Sequence, residues 1–329
     1  MISKKFEKKL ERYRSIINET IFQELESRRP KSLYEPIIYF LKGGGKRLRG
    51  ILLLLVVESL SKKPPKNFLQ QAIAIELLHN FTLIHDDIMD NSVKRHNKPT
   101  LHVKYDLSTA ILSGDVLLSI AYEFLMKNLQ VNKPQVIEEF TRALTIVCEG
   151  QALDKEFELR KNVTINDYFE MISKKTGALI ESICRIGALL TLAERKVIKE
   201  LGKFGLYLGI AFQLQDDLLD LTGEVKKFGK PKGNDLVEGK KTYIILKALQ
   251  NARGKYVNEI RKLIEKKGIK PEQVDDFIDM LENLGIFDDT KKEIDKYFNL
   301  AMESLQNISN SKNLNNLYQF AHKVLNRDF

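Results

Sequence analysis

Proline and cysteine are both scarce in this 329-residue chain, with eight and two copies. No Gly/Ser-rich linker or low-complexity tract divides it, and no unit of fixed period recurs. The 43% hydrophobic content is ample for a large core. Without a linker, a single domain over residues 1–329 is favoured over two. Cys148 and Cys184 fall in helix-like segments and read as reduced core residues, which argues against a disulfide framework and for a cytoplasmic protein. No apolar run reaches the roughly 18 residues of a membrane span, and the start of the chain shows no signal-like apolar region. Neither secretion nor stable membrane insertion is expected. Runs of alternating β-branched residues are also missing, which argues against a sheet-based fold.

Acidic balance is missing too: the net charge is +9. Its basic residues are mixed with acids, and no basic run is interleaved with aromatics for stacking bases, so nucleic acid is not the expected partner. The excess suits an anionic substrate better. The early run "KKFEKKLERYR" reads as a solvated helix face.

What is present is helix. Apolar residues recur at a helical period over 2–27, 67–90, 107–129, 134–160, 165–190, 194–221, 236–250 and 271–306, with Pro64-Pro65, Pro99, Pro134 and the Gly/Pro-rich 229–233 as breakers. The expected fold is all-α, a large bundle of long helices. Two helices look central. Residues 68–90 are apolar nearly all round, the mark of a buried helix. Their polar exceptions His79, Thr82, Asp86 and Asp90 form one stripe. Residues 201–221 repeat the arrangement with Gln213, Asp216, Asp217 and Asp220. Gly205 and Gly209 lie lower on that stripe, where they either leave space open or allow close helix packing.

Aspartates four apart on a helix lie about 6 Å from each other, so each pair costs on the order of 3 kcal/mol of repulsion at an effective dielectric near 20. A cation relieves this. Oxygen donors without His or Cys select Mg²⁺ or a similar hard ion. Because Mg²⁺ takes few protein carboxylates and completes its shell with water and phosphate oxygens, the stripes also imply a phosphorylated ligand. Basic residues fit such an anion. Lys46 and Arg49 follow the glycine turn of "GGGKRLRG" at a helix start. Lys175-Thr176 lies in "SKKTGALI", Lys230 in "FGKPKGNDL" and Lys240 in "GKKTY".

The ordered set GGKRLR, ELLHxxxLIHDDIMD, KPT, EGQxxD, KT, FQxxDDxLD, GKPxGxD and GKKT, spanning roughly residues 30–250, resembles the trans-isoprenyl (polyprenyl) diphosphate synthases. The resemblance implies an all-α bundle around a deep cavity and a homodimer. It also implies joining of isopentenyl diphosphate to an allylic diphosphate by ionisation of the allylic C–O bond, attack by the isopentenyl double bond and loss of a proton. By the same resemblance Asp86, Asp90 and Asp216 are Mg²⁺ ligands, and Asp87, Asp217 and Asp220 complete the metal set as supporting or water-bridged partners. Lys46, Arg49, His79 and Arg95 match the isopentenyl diphosphate site. Lys94, Lys175, Lys230 and Lys240 match the allylic diphosphate site. Thr176 and Gln213 match groups that stabilise the allylic cation. Gln151 and Asp154 match residues bordering the cavity, or form an ordinary polar helix face.

The chain departs from the family pattern at "KRH", where two arginines and a glycine are usual and Lys94, Arg95 and His96 stand. Lysine lacks the bidentate fork of arginine, so weaker allylic binding is expected. Gly50 replaces the usual proline, which would loosen that helix start. In this family a single aromatic five residues before DDxxD, here Phe81 with small Thr82 beside it, goes with a C20 product. Geranylgeranyl diphosphate is therefore the expected main product, with farnesyl or C25 products as alternatives. A terpene cyclase and a non-catalytic, partner-dependent subunit are the rival functions.

Overall fold

The computed structural model describes residues 2–61, 65–223, 232–266, 268–308 and 313–325. Its order is α1 (Lys4–Ser27), α2 (Lys31–Leu41), α3 (Leu48–Leu60), α4 (Leu69–Met89), α5 (Leu101–Lys104), α6 (Leu107–Met126), α7 (Lys133–Leu159), α8 (Ile165–Ile172), α9 (Ala178–Leu190) and α10 (Arg195–Thr222). There follow α11 (Asn234–Val237), α12 (Tyr243–Asn251), α13 (Lys255–Glu265), α14 (Val274–Asn283), α15 (Ile286–Gln306) and α16 (Asn315–Leu325). The strands among the described residues are β1 (Lys94–Arg95) and β2 (Lys98–Pro99), an antiparallel hairpin. The all-α expectation holds.

The chain groups into two compact units. The first comprises residues 1–142, 182–201 and 308–323; the second comprises 143–181, 202–307 and 324–329. In the first unit α4 packs chiefly against α6 and α3. α3, "LRGILLLLVVESL", is buried from Gly50 to Val57 without a break, so no polar face announces it. α2 carries Pro36 inside the helix, which hides it from a period reading. In the second unit Tyr168, Leu214, Ile244, Leu281 and Ile286 are among the buried residues of one apolar cluster.

Two expected helices are divided. Residues 236–250 break at a turn where Gly239 has φ +68°, and 271–306 breaks at Gly285, φ +70°; each glycine takes the left-handed conformation that ends a helix. The run 165–190 is helical throughout but contains a π-helical turn, Ser173–Gly177. Cys184 is buried, but Cys148 is exposed on α7, so only one of the two thiols belongs to the core. α6 is long and apolar enough to span a membrane by length and composition alone, though it carries Asp115 and Glu123 and is 44% buried within the protein.

Candidate active site

The first unit gathers one set of the expected residues at the C-terminal end of α4. Gly44 and Gly45 have φ of +139° and +118°, a conformation open to glycine at little cost. The His96 ring lies against Gly44, so a side chain added there would meet it at 3.4 Å. His96 and Asn97, both at positive φ, form the two-residue turn of the β1–β2 hairpin; this geometry suits the glycine usual at the first position. Arg47, buried, donates to Asn18 Oδ1 at 2.8 Å and to the Leu41 carbonyl at 2.7 Å. It thus fastens the turn that presents Lys46 and Arg49.

Gly50 does not loosen α3. Its N–H donates to the buried Glu76 carboxylate of α4 at 2.8 Å, and a methyl there would lie 2.7 Å from the Ala72 carbonyl oxygen. Proline has no N–H to offer Glu76.

His79 is partly exposed on α4. Burial, then the nearby positive charges of Arg49, Arg95 and Arg47, hold its pKa well below the usual histidine value. The imidazole is neutral, and the residues that keep it so are a convergence of cations from the glycine turn and the hairpin. Asp87 is 2% exposed and accepts from Arg95 Nε at 2.9 Å on each carboxylate oxygen. Asp86 and Asp90 are more accessible; Lys94 is exposed.

Phe81 stacks on His85 with ring centroids 4.7 Å apart. The His85 ring occupies the notch left by Gly114 of α6, where any side chain would overlap it. Thr82 turns its hydroxyl back to the His79 carbonyl at 2.8 Å.

The second unit gathers another set. Lys175 and Thr176 sit in the π-helical turn, a distortion often found at functional sites. Lys175 Nζ bonds Asp154 Oδ2 of α7 at 2.6 Å, joining two of the expected residues. Thr176 donates to Gln213 Oε1 at 2.8 Å, and Gln213 donates to Asp217 Oδ1 at 2.9 Å. Tyr168, not anticipated from the sequence, donates to Asp217 Oδ2 at 2.6 Å. Burial and then Asp235 push the Asp217 carboxyl up to about 8. Burial, then Asp217, push the Tyr168 phenol well above its ordinary value and keep it a donor. Asp220 accepts from the Asp235 N–H at 3.0 Å and so fixes the start of α11.

Burial opposes the charge on Lys240, but Asp235 at 3.4 Å and Glu238 at 3.0 Å outweigh it and raise its pKa. The next residue, Lys241, is buried and donates to the Phe157 carbonyl near the end of α7. Both amide atoms of Gln151 are buried without a hydrogen-bond partner, the signature of a group awaiting water or a ligand. Lys230 lies outside the described residues. Gly205 and Gly209 serve close packing: a methyl on either would come within 2.5 Å and 2.7 Å of backbone at Ile180 and Gly177.

Among the described residues no group of three or more His, Cys, Asp or Glu is gathered to hold a metal by itself. Asp86 and Asp90 in the first unit, and Asp216 in the second, each offer the oxygen-only donors that suit Mg²⁺, which is bound through one or two carboxylates and takes the rest of its shell from water and phosphate.

A helical fold with two such aspartate motifs is that of the isoprenoid synthases. Residues 30–281 match the family described as "Polyprenyl synthetase", and the chain belongs to that family and is a prenyltransferase. It is 37% identical to the geranylgeranyl pyrophosphate synthase of Geoglobus acetivorans, over 95% of this chain and 96% of that one. It is 41% identical to the geranylfarnesyl diphosphate synthase of Natronomonas pharaonis, over 71% of this chain and 74% of that one. The crystal structure of geranylgeranyl pyrophosphate synthetase from Pyrococcus horikoshii superposes with a TM-score of 0.89 at 35% identity, covering 99% of this chain and 100% of the other.

Proposed function

We propose that this enzyme condenses isopentenyl diphosphate head-to-tail with allylic diphosphates, in a Mg²⁺-dependent reaction whose main product is geranylgeranyl diphosphate. The carrying observation is the cationic environment of His79: Arg49, Arg95 and Arg47 all bear on one neutral imidazole. Arg49 and Arg95, the latter already paired with Asp87, converge there, a placement that suits a multiply charged anion. Lys46, Arg49, His79 and Arg95 take the isopentenyl diphosphate. Lys94, Lys175, Lys230 and Lys240 take the allylic diphosphate. Thr176 and Gln213 offer oxygen lone pairs to the carbon that becomes positive.

Asp86, Asp90 and Asp216 hold Mg²⁺, with Asp87, Asp217 and Asp220 supporting. The ions, when bound, neutralise the departing diphosphate. Preorganised cationic side chains bind and orient both substrates and hold the charge that develops as the C–O bond opens. The C20 assignment rests on Phe81, which His85 and Gly114 hold in place, and on the geranylgeranyl synthases among the relatives. As part of the same reading, the enzyme is a cytoplasmic homodimer.

Purified protein given Mg²⁺, labelled isopentenyl diphosphate and dimethylallyl, geranyl or farnesyl diphosphate should yield geranylgeranyl diphosphate on chromatography. No incorporation with any primer overturns the proposal and favours a partner-dependent subunit. A cyclised hydrocarbon from one prenyl diphosphate favours a cyclase. A C25 product corrects the chain length alone, in line with the geranylfarnesyl synthase relative.

A further inference from the structure

We infer that Tyr168 is a positioning residue for ionisation of the allylic substrate, acting through Asp217; this rests on the function proposed above. Tyr168 is 1% exposed on α8, and its hydroxyl lies 2.6 Å from Asp217 Oδ2. Asp217 is 6% exposed, so water is a poor substitute for that donor. The other carboxylate oxygen accepts from Gln213 Nε2 at 2.9 Å. Both Asp217 oxygens accept in this arrangement, Oδ2 from Tyr168 and Oδ1 from the Gln213 nitrogen, and that geometry fixes which way the amide turns. Gln213 Oε1 is thereby directed to Thr176, whose hydroxyl donates to it at 2.8 Å.

The consequence falls on Thr176. Its single proton is committed to Gln213, so what its oxygen offers elsewhere is lone pairs. That polarity suits a carbon losing an anion and repels the anion itself. Without the Tyr168 hydroxyl, Asp217 Oδ2 is a buried acceptor with no donor from α8. The carboxylate then turns to recover one, Gln213 is released to flip, and the Thr176 proton is no longer held. The side chain that sets the polarity of Thr176 thus sits three hydrogen bonds away and need not touch substrate.

The test is Tyr168→Phe in the full chain, with two readouts. One is steady-state turnover. The other is binding, by calorimetry, of Mg²⁺ with a thiolo analogue of the allylic diphosphate that ionises poorly. The expected result is kcat lower by about tenfold or more, with KM for isopentenyl diphosphate and the analogue Kd changed by less than about twofold. In an Asp217→Asn background the same substitution should lower kcat by less than about a further twofold, because the two residues act as one unit.

Wild-type kcat in Tyr168→Phe overturns the inference. So do a parallel loss of analogue binding, which marks simple loosening of the fold, and full additivity with Asp217→Asn. If Tyr168→Phe does not fold, a fluorinated tyrosine placed at 168, which keeps the hydroxyl but changes its strength as a donor, must shift kcat without shifting analogue binding, and an unshifted kcat overturns the inference. Failure of the wild-type protein to incorporate isopentenyl diphosphate is a different result: it overturns the proposed function together with this inference.

Discussion

Arg95 lies across Asp87, with Nε 2.9 Å from both carboxylate oxygens and Nη2 2.9 Å from Oδ1. The aspartate is buried and the guanidinium is not, so this pair uses a cation of the proposed isopentenyl diphosphate site to neutralise an internal charge. Arg95→Lys keeps the charge but loses the planar fork, and KM for isopentenyl diphosphate should rise about tenfold. Arg95→Ala leaves Asp87 buried without that partner and should cost roughly 3–5 kcal/mol of stability. Thermal melting separates the two effects: Lys should melt close to the wild type and Ala well below it.

His79 gives a pH signature. Its pKa is held well below the usual value by burial and by Arg49, Arg95 and Arg47, whereas in the unfolded chain it titrates near about 6.5. Below that pH the unfolded chain takes up a proton that the native state refuses. Stability contributed by the neutral imidazole is therefore complete above about pH 6.5 and lost as pH falls, by up to about 1.4 kcal/mol per unit. Urea unfolding between pH 7 and 5 should show this slope, and His79→Gln should flatten it.

Glycine substitutions test the packing. Gly50→Pro installs the residue that the family resemblance implies, yet here it removes the donor to buried Glu76 and meets the Ala72 carbonyl. It should destabilise by about 2–3 kcal/mol. Gly209→Ala drives a methyl into the Gly177 backbone and should cost about 1–3 kcal/mol. Denaturant midpoints measure both.

Chain length should follow the Phe81–His85–Gly114 contact. Phe81→Ala should extend the product beyond C20. Gly114→Ala forces His85 out of its notch and should broaden the product distribution while leaving KM for isopentenyl diphosphate within about twofold. Thin-layer chromatography of the dephosphorylated products reads both; an unchanged C20 product from Phe81→Ala would show that Phe81 is not the floor.

The long helices and both aspartate stripes were legible because each polar residue stands alone on an otherwise apolar face, as His79 and Asp86 do on α4. α3 was not, because a helix buried on every side has no period to read. The β1–β2 hairpin escaped because two-residue strands carry no alternation. The π-helical turn changes the register by one residue without changing composition. Tyr168 escaped for another reason: it looks like any core aromatic, and its partner lies 49 positions further along. The glycines at 205 and 209 were noticed, but only the neighbouring backbone at Ile180 and Gly177 decides between open space and contact.

In each motif the middle aspartate is already engaged by the protein itself, Asp87 by Arg95 and Asp217 by Tyr168 and Gln213. The most deeply buried of these carboxyl groups therefore do not wait for an ion to be tolerated. Folding and the proposed cation loading are then separable events, unlike in the small zinc domains that collapse only around their metal. On the proposed Mg²⁺ dependence, a chelator should silence this protein without unfolding it, as activity and thermal melting measured side by side would show.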